Sequence, residues 1–144
     1  MALSEAELAA KVEGYEKFLN EQLRADLRKT LDQRQEIQIE IDEYECLKDT
    51  IGKLKTSDNL HNLKTKVDLG CSFYVSAVVP DATKIFVKLG YGFFAELQLQ
   101  QAAEFCDKRV QLLEERIEAL TVRASQIKAH IRIVLQGLQE LQQL

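Results

Sequence analysis

The chain has one proline, Pro80, and six glycines in 144 residues. Long stretches therefore carry nothing that removes a backbone N–H or breaks a helix. Cysteine is scarce and odd in number. Cys46, Cys71 and Cys106 are widely spaced and form no CxxC pair. That predicts reduced cysteines in an intracellular protein. A reactive thiol is the competing reading. Net positive charge is also lacking. The formal net charge is -4 and the isoelectric point about 5.3, so there is no overall basic footprint for gripping nucleic acid phosphates. No apolar run approaches the roughly 18 residues of a membrane span, and no membrane association is expected. The opening MALSEAELAAKVEGYE lacks a basic start followed by an apolar core, so a secretory signal is not expected. Apolar residues make up 46% and charged residues 29%, which argues against wholesale disorder.

Two stretches with helical periodicity are present. In the second, Ala103, Cys106, Val110, Leu113, Ile117, Leu120, Ala124, Ile127, Ile131, Val134, Leu138 and Leu141 follow one another in alternating steps of three and four. This is a heptad seam, and it predicts a helix over 99–143. Cys106 fits the seam as a small apolar residue. The seam is narrow, and the other faces are rich in Gln, Glu, Lys and Arg, so another long helix must cover it.

The first stretch predicts a helix over 4–56. Ser4 and Glu7 form a capping box. The apolar stripe runs through Leu8, Val12, Tyr15, Leu19, Leu23, Leu27 and Leu31, then resumes at Ile37, Ile41, Tyr44, Leu47, Ile51 and Leu54, with Arg34 in the gap. From Leu19 to Leu31 the step is a repeated four, which shifts the seam and predicts less regular pairing there. Thr56, Ser57, Asp58 and Asn59 end the helix. Two arms of matched length joined by a short middle predict an antiparallel coiled coil with both termini at the far tip. A parallel homodimer is the competing arrangement.

The middle, 65–97, alternates. Odd positions carry Val67, Leu69, Cys71, Phe73, Val75, Ala77, Val79, Ile85, Val87, Leu89, Phe93, Ala95 and Leu97, while even positions include Lys66, Asp68, Ser72, Ser76, Lys84, Lys88, Glu96 and Gln98. Period two predicts strands with one buried face. Gly70 turns the first hairpin, Gly90 and Gly92 turn the second, and Pro80-Asp81 separates them. The fold class is therefore α+β, with two β-hairpins between two paired helices. Tyr74, Val78, Phe86 and Phe94 break the rule by placing apolar groups on the polar face. They are candidates for a subunit interface, against ordinary sheet packing. Two bare hairpins also leave open edges and are marginally stable alone.

At the opposite end, Leu3, Leu8, Leu135 and Leu144 exceed what the seam requires and are candidates for contacting a client, against simple closure of the coiled coil. No catalytic group is expected. The carboxylates fall on solvated helix faces, His61 and His130 are too far apart to share a metal, and GYG is a turn, not a phosphate loop. No cofactor is expected.

VDLGC at 67–71, VVPD at 78–81, LGYGFF at 89–94 and KAHI at 128–131, with YE at 15–16 and DLRK at 26–29, resemble the α-class prefoldin family over nearly the whole chain. Ordinary members usually open the first hairpin with a proline-containing segment and give the second turn a Gly-Thr-Gly-Tyr flavour. Here the turns are Asp68-Leu69-Gly70-Cys71 and Leu89-Gly90-Tyr91-Gly92, which favours a prefoldin-like branch over the standard subunit. The resemblance implies a helix–two hairpins–helix subunit of a hexamer with two α-class and four β-class chains. Their hairpins build a β-barrel platform and their coiled coils hang from it. It implies other prefoldin or prefoldin-like subunits as partners, with AAA-type helicases and RNA polymerase subunits among the associated proteins; a homo-oligomer of the isolated chain is left open by the sequence. It also implies complex-assembly work, transcriptional co-regulation, and residence in cytoplasm and nucleus. A coiled-coil scaffold or transcription cofactor acting outside any such complex is the alternative function. A homodimeric coiled-coil spacer is a third.

Overall fold

The computed structural model describes residues 5–58 and 60–143. An N-terminal helix runs as α1 (Glu5–Phe18), a π-helical turn (Leu19–Leu23) and α2 (Arg24–Thr56). Four strands follow: β1 (His61–Asp68), β2 (Tyr74–Asp81), β3 (Lys84–Gly90) and β4 (Phe93–Gln98). The chain then enters α3 (Leu99–Gln142). The fold is the expected α+β one, two long helices in an antiparallel coiled coil joined by two hairpins. The expected capping residue Ser4 lies outside the described residues.

Contacts divide the chain into two compact units. One is Ile41–Leu112; the other holds the residues up to Glu40 and those from Leu113 onward. In the first unit, Lys55 Nζ donates to Gln100 Oε1 at 2.7 Å, and Lys48 Nζ pairs with Asp107 Oδ1. Seven residues back on α2 match seven forward on α3, so the helices are antiparallel. The core of this unit is Ile51, Val87, Leu99 and Ala102, ringed by Leu47, Leu54, Leu60, Ile85, Leu97, Ala103 and Phe105. It ties α2, the second hairpin and the start of α3 together. Tyr44 and Phe105 meet edge to face, with ring centroids 6.4 Å apart.

In the other unit, Leu113, Ala124 and Leu138 of α3 are buried, as is Leu19. All twelve seam positions foreseen on α3 are buried or half-buried. The partner stripe is less regular. Thr30, not Leu31, is the buried residue, and its hydroxyl donates to the Asp26 carbonyl at 2.8 Å. Arg34 lies on the seam and donates from Nε to Thr121 Oγ1 at 3.0 Å. The repeated fours coincide with the π turn, where the Arg24 N–H bonds the Leu19 carbonyl. A π turn takes up one extra residue. It thereby keeps Leu8 and Val12 on the same stripe as Leu23 and Leu27.

The hairpins are two separate two-stranded antiparallel sheets, β1-β2 and β3-β4. In the first, Leu63 faces Val79, Thr65 faces Ala77 and Val67 faces Val75; in the second, Ile85 faces Leu97 and Val87 faces Ala95. β1 begins at His61, four residues earlier than the alternation predicts, because Leu63 extends the buried parity. Pro80 and Asp81 are not the break between hairpins but the end of β2; the break is at Ala82 and Thr83. Proline is tolerated in β2 because that strand has a neighbour on one side only. The strand pairing skips Asn62 and Pro80, and Asn62 takes a positive φ of 59°.

Candidate hairpin interface

Both hairpin turns demand left-handed backbone. Phe73 N–H donates to the Gly70 carbonyl at 3.0 Å, with Cys71 and Ser72 between them at φ 52° and 64°. In the second hairpin Tyr91 and Gly92 lie at φ 50° and 80°. Two consecutive positive φ values are the type I′ signature, whose twist matches that of paired strands. Asp68 Oδ1 accepts from the Gly70 N–H at 2.8 Å and braces the first turn.

These turns fix which backbone groups face outward. Leu69 N–H donates to the Phe73 carbonyl at 2.8 Å, and Leu99 N–H to the Thr83 carbonyl at 3.3 Å. Hydrogen-bonded pairs alternate with non-bonded pairs along an antiparallel ladder. Counting from these two bonds, the even-numbered residues from Lys64 to Val78 and from Lys84 to Gln98 turn their N–H and C=O away from the partner strand; the Ala82 N–H donates to the Leu60 carbonyl at 2.8 Å, so this parity does not reach Asn62 and Pro80. The outward edge of β1 is Lys64, Lys66 and Asp68, and that of β2 is Tyr74, Ser76 and Val78. The outward edge of β3 is Lys84, Phe86 and Lys88, and that of β4 is Phe94, Glu96 and Gln98. Gln98 is the exception in kind, since the Gln101 side chain accepts from its N–H at 3.3 Å.

Each of the four candidate interface residues is exposed: Tyr74 at 62%, Val78 at 56%, Phe86 at 72% and Phe94 at 63%. They sit cross-strand from Asp68, Lys64, Glu96 and Lys88 respectively. The odd face departs from expectation. Ala77, Val79, Ile85, Val87, Ala95 and Leu97 are buried or half-buried, but Val67, Leu69, Cys71, Phe73, Val75, Leu89 and Phe93 are exposed. Only the second hairpin meets the core, at the end carrying Ile85, Val87 and Leu97. The register also shifts between Lys88 and Gly90, so Leu89 is bulged out and Phe93 pairs with Gly90. Strict period two therefore misplaces Leu89 and Phe93. Phe73 at 72% and Phe93 at 71% enlarge the exposed apolar surface beyond the four candidates. The glycines around Tyr91 were the available signal that parity could slip there.

At the other candidate site, Leu8 is half-buried and Leu135 exposed, while Leu3 and Leu144 lie outside the described residues. Tyr15, Ile133, Val134, Gly137, Leu138 and Leu141 line an apolar cleft of about 410 Å³ nearby in sequence. Tyr15, expected on the buried stripe, is 50% exposed, and Ile133 lies off the α3 seam.

The titratable groups serve structure. Asp81 accepts from the Thr83 N–H at 3.0 Å and the Thr83 hydroxyl at 2.7 Å, and these bonds hold its carboxyl below the ordinary range. The hydrogen bond to Asp107 raises the Lys48 ammonium. Burial raises the Cys106 thiol, whereas Cys46 and Cys71 are exposed. Among the described residues no group of three His, Cys, Asp or Glu is placed to hold a metal ion, and no helix is long and apolar enough to cross a membrane.

Comparison with known proteins gives one consistent picture. Residues 23–144 match the family model described as Prefoldin subunit. Protein UXT of Bos taurus is 45% identical over 134 residues, covering 93% of this chain and 85% of that one. Prefoldin subunit alpha of Methanosarcina barkeri is 36% identical over 94 residues, covering 65% of this chain and 60% of that one. Among solved structures, a chain of filamentous PFD from Methanocaldococcus jannaschii superimposes with a TM-score of 0.69 at 18% identity, covering 83% of this chain and 97% of that one.

Proposed function

The chain belongs to the prefoldin family, and on that premise we propose that it is a non-enzymatic subunit of a prefoldin-like co-chaperone complex. It assembles through its β-hairpins with other prefoldin or prefoldin-like subunits. Its paired helices form an arm for client or complex-assembly work. The observation that carries this is the exposure of large apolar side chains on both faces of the hairpins, Phe73, Tyr74, Phe86, Phe93 and Phe94 among them. A solvated two-stranded ribbon gains nothing from such residues, whereas a subunit interface does. The proposal extends to Leu8, Leu135 and the cleft beside Tyr15 and Ile133 as a client-contact region.

Replacing Tyr74, Phe86 and Phe94 by Ser tests the interface. The variant should keep its helical circular dichroism and lose co-purification with prefoldin-type subunits. Unchanged assembly by light scattering and co-purification would remove these residues from the interface. Three further parts rest on family resemblance: association with AAA-type helicases and RNA polymerase subunits, transcriptional co-regulation, and residence in both cytoplasm and nucleus. Affinity purification of the native complex with subunit identification tests the first. Imaging of the tagged chain tests the last.

A further inference from the structure

The outward edges of the hairpins differ in chemistry. β2 offers Tyr74, Ser76 and Val78, which are uncharged. β3 offers Lys84, Phe86 and Lys88, a cation on each side of an exposed aromatic ring. β3 has β4 as its only neighbour in its sheet, so its other side is an open ladder. Open edges recruit strands, and directly opposed like charges weaken such pairing.

Two-fold symmetry makes this specific. If β3 of one copy met β3 of a second, antiparallel and centred on Phe86, the rings would lie opposite each other. Lys84 of each copy would then stand opposite Lys88 of the other. Two lysine pairs would oppose one another across a four-residue span. A strand with acidic residues at both positions would turn both repulsions into attractions and keep the aromatic contact.

We propose that the outer edge of β3 takes a strand from a different chain, one with acidic side chains opposite Lys84 and Lys88 and an apolar one opposite Phe86, and that the lysine pair bars a second copy of this chain from that edge. This rests on the hairpin-assembly reading and adds the partner's chemistry to it. The lysines act as a charge filter laid along a backbone ladder.

The protein can supply its own complementary partner. Lys84→Glu/Lys88→Glu carries the acidic pattern on an identical backbone. Wild type and this variant, each alone and then mixed in equal amounts, are compared by sedimentation velocity and native mass spectrometry. The mixture should associate at least about tenfold more tightly than either chain alone, a difference of about 1.4 kcal/mol. Phe86→Ser in either chain should abolish the mixed species, and raising salt should weaken it. Lys84→Arg/Lys88→Arg should behave as wild type. A mixture no tighter than wild type alone would overturn the proposal. So would binding of a single-stranded oligonucleotide by wild type that the double Glu variant loses, since the lysines would then serve phosphate. If the mixture fails while assembly still depends on Tyr74, Phe86 and Phe94, only the charge filter falls. If those three are also dispensable, the hairpin reading falls with it.

Discussion

Ile51→Ala should be among the most damaging single truncations in this chain. Ile51 is 1% exposed and packs with Val87 of β3 and Leu99 and Ala102 of α3. Removing three carbons from a filled site costs the lost transfer energy plus a term for the cavity left behind, and Ile→Ala changes span about 2–5 kcal/mol. Here the neighbours belong to two other elements, and Ala102 is too small to reach into the gap. We expect a value near the middle of that range, about 3 kcal/mol. With a urea m-value of about 2 kcal/mol per molar, the unfolding midpoint should fall by about 1.5 M. Circular dichroism at the helical minimum reads the midpoint, and an unchanged m-value confirms that stability rather than the denatured state has moved. Ile39→Ala is the control. Ile39 is 50% exposed on the same α2 helix, and its loss should stay within about 0.5 kcal/mol. Equal shifts for the two, or an Ile51 shift below about 0.3 M, would refute the assignment of the core.

Deleting the exposed Gln22 should be tolerated, because it removes the extra residue in the π turn and restores an even three-four alternation; deleting Glu115 from α3 should lower the melting temperature sharply by rotating one side of the seam by about 100°. A Gln22 deletion that unfolds α1 would show that the turn is not absorbing a phase error. A maleimide should label Cys46 and Cys71 in the native chain and reach Cys106 only on unfolding, as mass spectrometry of the labelled peptides can read. Asp81, with its carboxyl held low by Thr83, contributes stability that is present above the ordinary carboxylate pKa and is lost as pH falls through its own lower value. The Thr83 amide resonance should follow that acid titration, and Asp81→Asn should abolish it.

The helices were legible because burial there depends on spacing alone. A three-four seam on α3 names its buried residues without reference to anything else, and every one from Ala103 to Leu141 is at least half-buried. The first helix follows its stripe except at Tyr15, which is 50% exposed, and where polar residues take apolar positions. Thr30 is buried by bonding its own helix, and Arg34 occupies the seam by reaching Thr121. Neither bond is visible to a count of apolar residues. The irregularity at Leu19–Leu31 was legible as a phase error, but its form, a π turn, was not. In the hairpins, alternation says which side chains share a face and not how far that face is covered. Val87 and Val67 have the same parity, yet only Val87 meets the core. Tyr74, Val78, Phe86 and Phe94 are exposed, as their place on the polar parity implies; the exposure of Phe73 and Phe93 comes from tertiary structure, one through its distance from the core and the other through the bulge before it.

Pro80 sets a limit on what β2 can accept. The parity that turns Tyr74, Ser76 and Val78 outward stops at Pro80, since the Ala82 N–H donates to the Leu60 carbonyl beyond it, and proline has no hydrogen to give on either side. A strand laid along β2 can therefore take main-chain hydrogens from three residues and then meets a full stop. At about 3.3 Å per residue, the usable length from Tyr74 to Val79 is roughly 20 Å. Proline thus acts as a ruler. It admits a short strand and denies the long, repetitive stacking by which open sheets grow into aggregates.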